Sequence, residues 1–170
     1  NETACAHKIF ANSINYSHVK IYNGIPLLPT LNVAVTPSNS IFFPRGDCPP
    51  DFSLAQSSYL IWLIHELTHI WQFQHGFQTW FGGILLSLHG GYRKRSAYIY
   101  PPLHTISHFS DLNMEQQADL LCHYFAAAHI SGSRFQPQLK QLSAAAQMFI
   151  NNPHDQSLLP RYRSKWYWFD

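Results

Sequence analysis

The chain has 170 residues, of which 46% are hydrophobic and 12% charged, with a formal net charge of +2. That length suffices to bury a substantial core within one domain. So small a charge excess offers no broad electrostatic surface to nucleic acid or an anionic membrane, and no run approaches the ~20 apolar residues that a bilayer span requires.

Asn1-Glu2-Thr3-Ala4-Cys5 lacks the basic region and apolar core of a signal peptide. It also lacks an initiator Met, so the expectation is a processed product or, in preference, a domain (residues 1–170) cut from a longer protein. The first fifty residues alternate β-prone runs with breakers. Val19-Lys20-Ile21-Tyr22 is followed by Asn23-Gly24, and Leu31-Asn32-Val33-Ala34-Val35 by Thr36-Pro37-Ser38-Asn39-Ser40; Ile41-Phe42-Phe43 comes next. These lengths predict a small sheet or hairpin, closed by residues 44–50.

Ser53 is a candidate N-cap for a long helix running to about His75, with Gly76 as its stop. Leu60, Leu63, Ile64, Leu67 and Trp71 recur at helical spacing along it. Residues 76–100 form a Gly- and aromatic-rich connection, partly helical around Ile84 to Leu88, which Pro101-Pro102 interrupts. A second helix begins at Asp111 or Asn113 and continues through Ala128 on an apolar stripe of Leu112, Ala118, Leu121, Cys122 and Phe125. A third spans Pro137 to Ile150. The aromatic end, Lys165-Trp166-Tyr167-Trp168-Phe169, reads as a segment folding back on the core, or alternatively as a sticky tail for a partner. Three cysteines cannot close a complete disulfide framework. Cys122 reads as a buried thiol, whereas Cys5 and Cys48 lie in segments that a bridge could join.

His65-Glu66-Leu67-Thr68-His69 places His-Glu-x-x-His inside the first long helix. Residues four apart share a helix face, so both imidazoles can reach one metal ion, while Glu66 projects about 100° round the axis toward a metal-bound water. A shuffled chain of this composition contains the pattern in roughly 1% of cases, so a third ligand is needed to carry the argument. Asn113-Met114-Glu115-Gln116-Gln117-Ala118-Asp119 supplies it. Glu115 is one of three glutamates in the chain; it can face the metal while Asp119 accepts a hydrogen bond from the far nitrogen of a ligand histidine. Taken alone, this stretch would be a solvated helix N-terminus.

His75 almost completes a longer three-histidine pattern, but that pattern requires Gly where Gln72 stands, so His75 is rejected as a ligand. The chemistry implied is zinc-assisted hydrolysis, with Glu66 taking a proton from the attacking water and returning it to the leaving amine. Tyr98, Tyr100, His104 and His108 are candidate donors to the developing oxyanion.

With both motifs in hand, the chain resembles the gluzincin branch of the zincin peptidases. More narrowly, residues 65–72 and 113–119, followed by His123-Tyr124-Phe125, resemble the toxin-type peptidase domains at the C-termini of VgrG spike and Rhs-type proteins of type VI secretion. The resemblance implies an α+β, zincin-like fold, with a small N-terminal sheet or hairpin packed on an active-site helix and a second ligand-bearing helix. It implies Zn2+ held by His65, His69 and Glu115, Glu66 as base and Asp119 behind a ligand. It further implies delivery into the periplasm of a target bacterium, a secretion spike, a cognate immunity protein, and a protein or cell-wall peptide substrate. His123 stands where such domains carry an acidic residue. Two other readings remain open: a catalytically idle, zinc-stabilised binding module of a secretion apparatus, and a housekeeping metallopeptidase.

Overall fold

A computed structural model describes residues 1–26, 32–93 and 95–162; the aromatic segment 165–169 and Leu31 lie outside them. The chain opens with a helix, α1 (Glu2–Phe10), where the sequence reading finds only β-prone runs and turns. Ala6, Ile9 and Phe10, three and four residues apart, are buried, so tertiary packing supports a helix too short to be stable alone. The Glu2 carboxylate accepts a hydrogen bond from the Phe52 N–H at 2.6 Å, tying α1 to the loop ahead of the next helix.

Strands β1 (Lys20–Asn23) and β2 (Ser40–Phe43) pair in parallel, with Lys20 opposite Ser40 and Asn23 opposite Phe43. A hairpin would pair them antiparallel; instead the chain returns before β2 begins. The expected strand at 31–35 is reduced, among described residues, to an antiparallel bridge between Val35 and Phe42 on the other edge of β2. Alternation on β2 buries Ile41 and Phe43, and the Phe43 ring meets Phe52 and Trp62 at centroid distances of 4.9 and 5.0 Å.

Helix α2 (Ser57–Gln74) runs through the centre of the protein, and all ten residues from Leu63 to Gln72 are buried. It starts three residues later than Ser53 as N-cap suggests, with Gln56 in that position. The reason is local: Asp51 accepts bonds from both the Ser53 N–H and its hydroxyl, at 2.8 and 2.6 Å, so that hydroxyl closes a turn instead of capping a helix. At its other end Gly76 has φ 105°, and the N–H groups of Gly76 and Phe77 bond the carbonyls of Phe73 and Gln72 at 3.0 and 2.9 Å. This is a left-handed glycine stop.

Helix α3 (Thr79–Leu88) is longer than the partial helix expected at 84–88. Helix α4 (Met114–His129) lies along α2 and begins with a capping box, Asn113 and Gln116 each bonding the other's backbone. Helix α5 (Leu139–Asn151) packs on α4. The main core joins α1, β2, α2, α4 and α5, and a smaller one gathers Phe77, Leu86, Ala97 and Met114. Cys5, Cys48 and Cys122 are all free thiols, so Cys5 and Cys48 are not bridged. No described helix is long and apolar enough to cross a membrane.

α3 can approach the start of α4 only because residue 82 is glycine. A Cβ there would lie 2.8 Å from the Met114 sulfur and 2.9 Å from the Phe77 ring. Gly82→Ala should therefore destabilise the fold by about 1–3 kcal/mol, read as a lowered thermal midpoint by circular dichroism; an unchanged midpoint would mean that α3 moves aside freely.

Candidate metal centre

His65 and His69 lie one turn apart on α2, and Glu115 lies in the first turn of α4. Packing of the two helices brings both imidazole Nε2 atoms to one carboxylate oxygen: Glu115 Oε2 is 3.1 Å from His65 and 3.3 Å from His69. Donors bound at about 2.0–2.1 Å to a tetrahedral ion are about 3.3 Å apart, so the three groups fit around one small cation with little movement. All three residues are buried, and the set is chemically suited to hold a metal ion.

The outward-facing ring nitrogens are also engaged. His65 Nδ1 lies 2.9 Å from Asp119 Oδ1, and His69 Nδ1 lies 2.9 Å from Gln72 Oε1. With a metal bound, Nδ1–H donating to these oxygens would direct each Nε2 lone pair inward, the tautomer that a ligand requires. The Gln72 amide continues the network, donating to the Met114 carbonyl at 3.1 Å and to Gln117 Oε1 at 3.0 Å. Gln117 in turn donates to the carbonyls of Phe109 and Leu158 at 2.9 and 2.8 Å. The other Glu115 oxygen accepts the Tyr92 hydroxyl at 2.8 Å.

Glu66 is 4% exposed. Its Oε2 accepts the Thr36 hydroxyl at 2.6 Å and its Oε1 the Trp62 indole N–H at 3.1 Å. Both oxygens of this carboxylate are thus anchored, one from the segment beside β2 and one from the preceding turn of α2.

The structure therefore gathers His65, His69, Glu115 and Asp119, with Glu66 held close by on α2. Gln72, which the sequence reading uses only to reject His75, instead orients His69. His75 turns away: its Nδ1 is 2.9 Å from the Trp71 carbonyl, and its ring packs on Trp71. Of the four oxyanion candidates, Tyr98 lies beside the cluster, its ring centroid 6.1 Å from that of His65. Tyr100 is committed to His123 at 3.0 Å, and His104 and His108 are exposed. His123 stacks on Phe135. The sequence reading missed Thr36, Trp62, Tyr92 and Gln117. Only Trp62, four residues before Glu66, carried a local signal, that of helical spacing.

Burial works against charge on both histidines, yet their carboxylate neighbours prevail. Hydrogen bonds to Asp119, Cys122 and Glu115 hold His65 well above its usual 6.5, and Glu115 raises His69. Burial likewise disfavours the Glu115 anion, but His69 and His65 hold its carboxyl well below the ordinary range. In metal-free protein, the stabilisation from raised imidazoles is complete below their unfolded value and disappears as pH rises through the folded values. That from Glu115 is present above its unfolded value and is lost as pH falls through the folded one. Chelator-treated protein should thus melt highest between about pH 5 and 6.5 and lose thermal midpoint as pH rises above that window; a flat profile in differential scanning calorimetry would show neutral imidazoles.

No family model matches the chain. Its sequence is 31% identical over 157 residues to the type VI secretion system spike protein VgrG2b of Pseudomonas aeruginosa, an alignment covering 82% of this chain but only 14% of that protein. The solved effector domain of P. aeruginosa VgrG2b superposes with a TM-score of 0.65 at 27% identity, covering 86% of this chain and 76% of the other. In both sequence and fold, the chain is similar to VgrG2b and its effector domain.

Proposed function

We propose that this chain is a zinc-dependent endopeptidase domain of zincin type that serves as an antibacterial type VI secretion effector. The observation that carries the peptidase reading is the convergence of His65 Nε2 and His69 Nε2 on a single Glu115 oxygen, with a second anchored carboxylate on the same helix. Two imidazoles and one carboxylate are the protein donor set of a hydrolytic zinc site, whose fourth position is taken by water or substrate. Zinc held there by His65, His69 and Glu115 would supply Lewis acidity, lowering the pKa of a water and polarising the scissile carbonyl.

The protein groups perform the remaining work. Asp119 and Gln72 fix the two imidazoles, and Tyr92 holds the Glu115 oxygen that does not face them. Glu66 accepts the proton of the attacking water and delivers it to the departing amine. Tyr98, beside His65, is the candidate nearest the cluster for donating to the oxyanion.

The effector reading rests on similarity to the VgrG2b effector domain. By the same likeness, the chain would travel with a secretion spike; action in the periplasm of a target bacterium on protein or cell-wall peptide bonds, and a countering immunity protein, are our extension from the resemblance of its motifs to toxin-type peptidases.

Purified protein should carry about one zinc per chain by elemental analysis. Glu66→Ala should retain that zinc while losing about 10²–10⁴ in kcat; undiminished toxicity would favour a binding module, and undiminished cleavage would reject Glu66 as the base. Expression in a bacterium with an export signal should arrest growth, whereas expression without one should not, and equal harmlessness in both would argue for a housekeeping enzyme.

A further inference from the structure

The segment carrying Thr36 is fixed from three directions. Val35 exchanges two backbone hydrogen bonds with Phe42, each 3.0 Å. The Thr79 hydroxyl of α3 lies 3.3 and 3.1 Å from the carbonyls of Thr36 and Pro37. The third anchor is the Thr36 hydroxyl itself, 2.6 Å from Glu66 Oε2. Thr36 and Thr79 are both buried, so this contact is made away from solvent.

On the reading of Glu66 as the general base, we infer that Thr36 is a positioning residue: its hydroxyl, together with the Trp62 indole, sets the rotamer and aim of the Glu66 carboxylate. A glutamate has three side-chain torsions and, with nothing to hold it, would sample orientations that point away from the reacting water. Two donors from independent elements, one on each oxygen, remove that freedom. Each carboxylate oxygen has a second lone pair, so both anchors can persist while Glu66 accepts a proton. The anchors also supply the partners that a buried carboxylate requires. Thr36 thereby makes the β2 edge and the start of α3 part of the catalytic geometry, although neither carries a residue of the two motifs.

The experiment is a variant series read in two ways. Thr36→Val keeps shape and backbone but removes the hydroxyl, whereas Thr36→Ser restores it. In zinc-loaded protein, Thr36→Val should lower kcat about tenfold to a hundredfold, with KM and zinc content nearly unchanged, and Thr36→Ser should recover most of the loss. In the Glu66→Ala background, Thr36→Val should have no further effect on kcat.

The second readout needs neither metal nor activity. In chelator-treated protein, Thr36→Val should lower the urea unfolding midpoint when Glu66 is present and much less when it is Ala, the non-additivity expected of a direct contact. Equal shifts in both backgrounds would overturn the contact. Full kcat in Thr36→Val, or a loss that Thr36→Ser does not repair, would overturn the positioning role. If Glu66→Ala is itself as active as wild type, the general-base reading falls, and Thr36's catalytic role falls with it.

Discussion

The packing of α2 against α4 places two imidazoles and the Glu115 carboxylate inside the protein, where none of them could remain without partners. Desolvating an ionisable group costs several kcal/mol unless charge and hydrogen bonds compensate it. The compensation is layered. Glu115 faces both imidazoles, Asp119 and Gln72 take the far ring nitrogens, and Tyr92 takes the remaining Glu115 oxygen. Gln117 relays the network to the backbone at Phe109 and Leu158, so loops distant in sequence are held by the same polar core.

This arrangement explains why α2 has no conventional exposed face in its second half. Leu63, Ile64, Leu67, Ile70 and Trp71 serve the apolar core, while Glu66, His69 and Gln72 are equally buried on the polar side. A helix enclosed on all sides must satisfy its polar residues internally. The Trp71 indole follows the same rule, donating to the Pro153 carbonyl at 2.7 Å. Removal of one network member leaves another buried group unpaired, and the cost of that exceeds the net worth of the bond.

The sheet contributes less to the core than to placement. Its two short strands bury Ile41 and Phe43 and press Phe43 against Trp62, whose indole reaches Glu66. On the other edge of β2, the Val35 bridge delivers Thr36 to the same carboxylate. A small apolar contact and a single bridge thus orient Glu66 from both sides. Similarity to the VgrG2b effector domain extends over most of the chain.

Local pattern alone determined the helices that carry the motifs. It placed His65, Glu66 and His69 on one stretch of helix and Glu115 and Asp119 on another, because a period of 3.6 residues is written into the residues themselves. The stop at Gly76 and a helix start at Asp111 or Asn113 were legible from their residue types, whereas the capping box that Gln116 completes emerged only in the fold. Helix α1 and the full extent of α3 were not legible, since short helices owe their existence to the surfaces that bury them. Parallel pairing of β1 with β2 was equally hidden, because strand-prone runs do not encode direction. Thr36 and Tyr92 reach Glu66 and Glu115 across 30 and 23 residues of chain. Contacts across such separations arise only when packing closes the intervening loops, so tertiary structure alone decided which side chains surround the two motifs.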